Sequence, residues 1–236
     1  MTTIWDAFRL ALQMMWQFDS GLLEIIGLSL RVSVTAVVIG SAIGLPCGAV
    51  LALARFPGRQ VCIIVLNACM GLPPVVVGLA VYLLLSRSGP LGMLGWLFTP
   101  AGMVVAQVVL ITPIVAALSR QVVADLWTEY EEQMRSLGLT PRGAVPTLLW
   151  DGRYSLSTAL LAGFGRAIAE VGAIMIVGGN IAGYTRTMTT AISLETSRGD
   201  LALAMALGIV LLVIAISVNA AAAALGSVSQ RAQNGI

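Results

Sequence analysis

The 236 residues are 58% hydrophobic and only 10% charged, with a formal net charge of +2 and a mean hydropathy of +0.94. Soluble domains carry about 25% charged residues, so this composition excludes an ordinary water-soluble domain and points to lipid as the solvent. The chain has no histidine and no lysine, which excludes Ser-His and Cys-His catalysis, imidazole metal sites and a P-loop of its own.

The predicted elements follow in chain order. Residues 4–16, IWDAFRLALQMMW, place Ile4, Trp5, Phe8, Leu12, Met15 and Trp16 on one helical face. The expectation is an interfacial helix within 1–21, with its tryptophans at the headgroup level. Asp6 stands where a secretory signal would carry basic residues, so a signal peptide is not expected.

A membrane-crossing helix needs about 20 mostly apolar residues. Five stretches qualify, at 32–54, 61–86, 100–119, 154–178 and 201–225. Pro73 and Pro74 fall inside the second and Pro113 inside the third, so kinks are expected there. Cys47, Cys62 and Cys69 lie in or beside apolar runs without metal-ligand spacing and read as small core residues. The expected fold class is an all-α polytopic membrane protein of about five transmembrane helices, forming one domain over 1–236. An odd number of spans argues against two equal inverted halves.

If the Arg55–Arg59 loop is cytoplasmic, the inner segments hold Arg55, Arg59, Arg120, Arg135, Arg142, Arg153 and Arg231, and the outer ones hold Arg9, Arg31, Arg87, Arg186 and Arg198. That bias favours the N-terminus outside and the C-terminus inside.

Between the third and fourth spans, residues 125–151 are polar. DLWTEYEEQMRSL at 125–137 suits a short helix, acidic early with Arg135 late, which complements the helix dipole. Gly138 sits where a left-handed glycine ends a helix. Thr140 and Pro141 read as an N-cap and first residue of a second helix, with Pro146 marking its bend back to the bilayer. By composition alone this is a solvated loop.

Its spacing says more. Glu132, Gln133, Met134 and Gly138, then nine residues to Leu148, resemble the Glu-Ala-Ala-x3-Gly loop of type I ABC importer permeases. Gln133 and Met134 replace the two alanines, and Trp150 and Asp151 stand where that pattern has Leu and Pro. The resemblance implies a cytoplasmic coupling loop over 125–151 that docks on an ATPase. Glu132, Arg135, Leu137, Gly138, Thr140 and Pro141 are the expected coupling residues.

GFGRAIAEVGA puts Arg166 and Glu170 one helical turn apart inside the fourth span, beside Gly163, Gly165 and Gly172, which would let another backbone approach. Two readings stay open. The pair lines a pathway for an anion, or it locks two helices together. The Gly- and Thr-rich stretch at 177–200 reads as a flexible outer loop.

The run GRAIAEVGAIMIVGGNIAGYTRTMTTAI is similar to the oxyanion permeases for sulfate, molybdate and tungstate, and is most similar to those for tungstate. That resemblance covers about 25–225 and includes ARFPGR, LPPVVVGL and GPLG. It implies a plasma-membrane permease subunit of a tungstate importer, with Arg166, Glu170, Gly172 and Asn180 on the pathway or its gate. The implied partners are two cytoplasmic ATPases, an extracytoplasmic tungstate-binding protein and a second copy of the chain, with no nucleic acid. No cofactor is expected in the chain, since ATP would be used by the ATPase. It would be a transport subunit and not an enzyme. The alternatives are a permease for molybdate or sulfate, an ATP-independent channel or carrier, and a membrane-embedded enzyme.

Overall fold

The computed structural model describes residues 19–233 and, before them, 5, 8, 9, 12, 13, 16 and 17, with side chains described to residue 224. Among these the secondary structure is helical: α1 Ser20–Leu53, α2 Arg59–Met70, α3 Pro74–Leu85, a 3-10 turn Gly92–Leu94, α4 Pro100–Ser136, α5 Val145–Asp151, α6 Arg153–Ile168, α7 Gly172–Gly178, α8 Met188–Arg198 and α9 Leu201–Gln233. Trp5, Phe8, Arg9, Leu12, Gln13 and Trp16 are helical, and Trp5 and Trp16 are strongly exposed. Gln17 is a turn, Asp19 is not helical, and Ser20 and Gly21 already belong to α1; the remaining residues of the expected interfacial helix lie outside the described residues.

Helices α1, α4 and α9 are each long and apolar enough to cross a membrane. The pairs α2–α3 and α6–α7 qualify when each is taken as one bent span, which brings the number to five. The span at 61–86 breaks at the expected Pro73–Pro74 kink, whereas the expected continuous span at 154–178 is also broken. Pro73 is the N-cap of α3 and Pro74 its first residue, because proline lacks the N–H that a continuing helix would use. Pro113 lies within α4, and so does Pro46 within α1. The first span reaches further toward the N-terminus than its most apolar run, because Asp19 caps it: its Oδ1 accepts the Leu22 N–H at 3.0 Å.

The chain folds as two compact units, one of residues 1–36, 73–107 and 166–217, the other of 37–72, 108–165 and 218–236. In the second unit a row of small residues on α1 meets α4. A Cβ on Gly40 would lie 3.3 Å from Ile111 Cγ2, and one on Gly44 would lie 3.0 Å from the Thr112 carbonyl. A Cβ on Gly48 would lie 2.2 Å from the Ala116 carbonyl oxygen, well inside van der Waals contact. The i, i+4, i+8 spacing puts the three glycines on one face, and their lack of side chains lets the backbones touch. Ser119 Oγ donates to the Leu45 carbonyl across this seam at 2.8 Å.

The loop after α1 is tied back by one side chain. Arg59 Nε donates to the Leu51 carbonyl at 2.9 Å, and its Nη2 to the Ala52 carbonyl at 2.8 Å. These are carbonyls that the end of α1 would otherwise leave unsatisfied. Arg59→Ala is expected to destabilise the protein by about 1–2 kcal/mol, the low end for charged hydrogen bonds because the side chain is half-exposed. Thermal unfolding in detergent checks this. Arg59→Lys should recover only part of the loss, since an ammonium has no fork with which to span two carbonyls.

In the first unit, Val32, Met103 and Ile174 form a buried cluster. Helices α3 and α7 approach at Gly78, where a Cβ would lie 2.7 Å from Ala173 Cα. Phe98 donates its N–H to the Val177 carbonyl at 2.9 Å, and its ring meets Tyr82 edge-on at 6.1 Å between centroids.

Candidate functional site: a polar elbow and a broken helix

The polar elbow belongs to the second unit. DLWTEYEEQMRSL is not a separate short helix but the end of α4, which runs unbroken to Ser136. Neither glycine nor proline occurs between Pro113 and Gly138, so nothing interrupts the hydrogen-bond ladder. The helix stops at Gly138, whose φ is +74°. The Gly138 N–H donates to the Arg135 carbonyl and the Leu139 N–H to the Met134 carbonyl, each at 3.0 Å. That is a Schellman ending, and its usual hydrophobic contact is present because Leu139 packs on the cluster that contains Met134.

Thr140 Oγ1 then accepts the Gly143 N–H at 3.2 Å, and the Thr140 carbonyl accepts Ala144 N–H at 3.0 Å. Thr140 thus caps a single turn beginning at Pro141, while the regular helix α5 begins later, at Val145. Pro146 lies in the first turn of α5 and does not mark a bend. The return to the apolar span comes instead at Gly152, between α5 and α6. A Cβ on Gly152 would lie 3.0 Å from both Leu126 and Val122 side chains.

Beneath the elbow, Ala49, Leu53, Val123, Leu126, Met134, Ala144 and Leu148 form one buried cluster. Met134 and Leu148, two positions of the spaced pattern, therefore anchor the elbow. Glu132, Arg135, Leu137, Gly138 and Thr140 are exposed and Pro141 is half-buried; Leu137 is 77% exposed and Trp150 69%. Arg135 pairs with Glu131 one turn back. Arg153 donates to the Trp150 carbonyl at 2.9 Å and stacks over the Trp150 and Tyr154 rings. The elbow is thus fixed from below and presents leucine, tryptophan and mixed charges outward.

The second locus lies in the first unit, at the break between α6 and α7. Glu170 stands in that break, where the sequence pattern alone suggested a continuous helix. Its carboxylate is spoken for on both oxygens: Oε2 pairs with Arg166 at 2.7 Å and Oε1 accepts the Ala173 N–H at 3.1 Å. The Glu170 side chain is 3% exposed and that of Arg166 37%. The break frees backbone groups, and distant side chains take them up. Gln107 Nε2 donates to the Ala167 carbonyl at 2.9 Å, and Thr189 Oγ1 donates to the Glu170 carbonyl at 2.7 Å. A Cβ on Gly172 would lie 2.8 Å from Val75 Cγ2, whereas Gly165, expected at a close approach, has open space around it.

The Gly- and Thr-rich stretch is packed rather than loose. Thr185, Thr187, Thr189 and Thr190 are buried. Thr185 Oγ1 accepts the Ile181 N–H and donates to the Gly178 carbonyl at 2.6 Å. Thr187 and Thr190 form a capping box at the start of α8. The Met188 N–H reaches Ser29 Oγ at 2.8 Å. Asn180 takes a positive φ of 51°, and its amide nitrogen donates to the Thr190 carbonyl at 3.3 Å. Sequence reasoning had no way to find Gln107 or Ser29, since each is a lone polar residue in an apolar helix whose partner lies far along the chain.

No family model matches the chain. A probable anion ABC transporter permease protein from Haloferax volcanii is 41% identical over 185 residues, covering 76% of this chain and 80% of that protein. A tungstate uptake system permease protein from Peptoclostridium acidaminophilum is 38% identical over 200 residues, covering 85% of this chain and 88% of that protein. The chain belongs to the oxyanion ABC transporter permeases. A sulfate transport system permease protein from Synechococcus elongatus is less similar, 31% identical over 72% of this chain and 62% of its own length. Membership and the apolar helices together make this permease a multi-pass membrane protein. Within it, the elbow lies between two apolar spans and the broken helix places a buried charged pair inside one.

Proposed function

We propose that this permease is the membrane subunit of an ATP-driven tungstate importer, and that the 125–151 elbow couples it to a cytoplasmic ATPase. The observation that carries this reading is the elbow itself. A helix end locked by a positive-φ glycine, anchored through Met134 and Leu148, projects Leu137 outward as a rigid knob. Such a knob transmits force, where a loose loop would absorb it. The cytoplasmic placement of the elbow sets the N-terminus outside and the C-terminus inside. Two copies of the chain form the path, two ATPases drive it, and an extracytoplasmic binding protein delivers the anion. With no lysine, the chain draws on the partner's ATP. Tungstate is favoured over sulfate because the tungstate uptake permease compared is more similar than the sulfate permease, 38% against 31%.

In this reading Arg166, Glu170, Gly172 and Asn180 shape the pathway wall. The commitment of both Glu170 oxygens favours a role in holding the wall's shape, with the partly exposed Arg166 as the side an anion would meet.

The experiment deletes the gene, supplies tungstate and molybdate together, and measures cellular tungsten and molybdenum by mass spectrometry. Tungsten alone is expected to fall and to return with the wild-type gene. A fall in molybdenum instead would remove the tungstate assignment. Gly138→Leu should insert yet restore little uptake, because a branched side chain at positive φ destabilises the elbow by about 1–2 kcal/mol. Gly138→Asn should restore more, since asparagine tolerates that conformation. Open space around Gly138 makes backbone conformation, not a clash, the cause. Normal uptake by Gly138→Leu would sink the coupling role.

A further inference from the structure

The first unit holds a cavity of about 270 Å³ where the start of α1 meets the loop before α8, lined by Arg31, Arg186, Tyr184, Glu24, Ile25 and Leu28 among others. Two guanidiniums and a phenol beside aliphatic groups are an unusual lining for a chain with so few charges.

The charge balance around it is uneven. Glu195 is buried and serves two guanidiniums, Arg186 at 3.5 Å and Arg198 at 3.3 Å, so one carboxylate faces two positive charges. Arg186 Nε is buried, with no hydrogen-bond partner among the described residues. A buried donor without an acceptor is unfavourable, so Glu195 leaves part of the Arg186 guanidinium's donor capacity unused. Arg31 is exposed at the mouth, and no ion pair involves it among the described residues. Guanidinium forks match the oxygens of a tetrahedral anion, and a tyrosine hydroxyl adds a neutral donor.

We infer that this cavity is a low-affinity site for a tetrahedral oxyanion, held by Arg31 and Arg186 with Tyr184, and weakened on purpose by Glu24. The inference rests on the permease reading above, which places the start of α1 on the outer side, where the anion enters. A carboxylate in an anion site opposes tight binding. In a conduction path that is an advantage, because an ion must leave as readily as it arrives. Two sources offer the same chemistry: the transported anion and the phosphate of a lipid headgroup.

The test uses the purified full chain in detergent, with sodium tungstate as probe. Equilibrium dialysis with tungsten measured by mass spectrometry reads the anion, and organic phosphorus per protein reads retained phospholipid. Arg31→Gln is expected to weaken tungstate binding about tenfold, the loss of one charge-assisted hydrogen bond. Glu24→Gln is expected to strengthen it. Opposite effects from two exposed positions cannot come from unfolding. If instead phospholipid phosphorus falls with Arg31→Gln and tungstate does not displace it, the site stands with a headgroup as its oxyanion. If neither tungstate nor phosphorus responds to either variant, the site is overturned. Cellular tungsten uptake reads the permease assignment separately. Uptake by wild-type cells together with unresponsive binding removes this site alone, whereas Arg31-dependent binding without uptake removes the transport assignment and leaves the site.

Discussion

Gly48→Ala is expected to destabilise the permease by about 3 kcal/mol or more, and Gly48→Leu to prevent its accumulation in the membrane. The added Cβ would lie 2.2 Å from the Ala116 carbonyl, 2.8 Å from Ser119 Cβ and 2.9 Å from the Arg120 nitrogen. Two of those three atoms are backbone, so no rotamer change relieves the overlap. The seam must open instead, which strains the Ser119–Leu45 hydrogen bond and the contacts at Gly40 and Gly44. Gly165→Ala is the matched control. It lies in a helix with nothing within 4 Å, so the same change should be neutral or stabilising by about 0.5–1 kcal/mol. Thermal unfolding of both variants in detergent, followed by tryptophan fluorescence, makes the comparison. Helix propensity alone would make both changes neutral or stabilising, so an equal outcome at the two positions would overturn the close-packing account of Gly48.

Arg166→Ala is expected to be nearly as damaging, at about 3 kcal/mol, the lower end for breaking a buried ion pair because Arg166 itself is 37% exposed. The damage comes from what is left behind. Glu170 would keep its Ala173 hydrogen bond but lose the cation that neutralises it at 3% exposure. Glu170→Gln in the same chain should repair most of the loss, since a glutamine oxygen can still accept the Ala173 N–H without a charge. Protein level and tungstate uptake together separate the two open roles of the pair. Recovery of both makes the pair a fastening for the helix break. Recovery of protein level without uptake places Arg166 on the anion's path. If the double variant is no more stable than Arg166→Ala, the account of an uncompensated buried carboxylate fails.

Much of the elbow was legible because its signals are local. A glycine after an acidic-to-basic helical run specifies a left-handed ending through residues within one turn of each other, and the structure has that ending at Gly138. Thr140 capped as its residue type suggests, though for one turn only. The join of DLWTEYEEQMRSL to α4 was also local information. A change from apolar to charged residues resembles a boundary, yet the solvent changes along this helix without breaking it.

The break at Glu170 was not legible. No proline marks it, and i, i+4 spacing suits an unbroken helix. What makes the break tolerable is Gln107 on the Ala167 carbonyl, Thr189 on the Glu170 carbonyl and Gly78 against Ala173, all distant in sequence. The threonines of 185–190 misled in the same way: their composition suggests a loose loop, yet their hydroxyls close onto backbone groups and let the segment be buried.

The sequence by itself therefore determined the solvent, the helical class, the approximate spans and the elbow, because hydrophobicity and capping act within a few residues. Only the tertiary structure decided that the fourth span breaks at Glu170, which glycines touch a neighbouring backbone and which arginines share a cavity. In lipid every freed backbone group must find a partner, and those partners are chosen by the fold and not by neighbours in the chain.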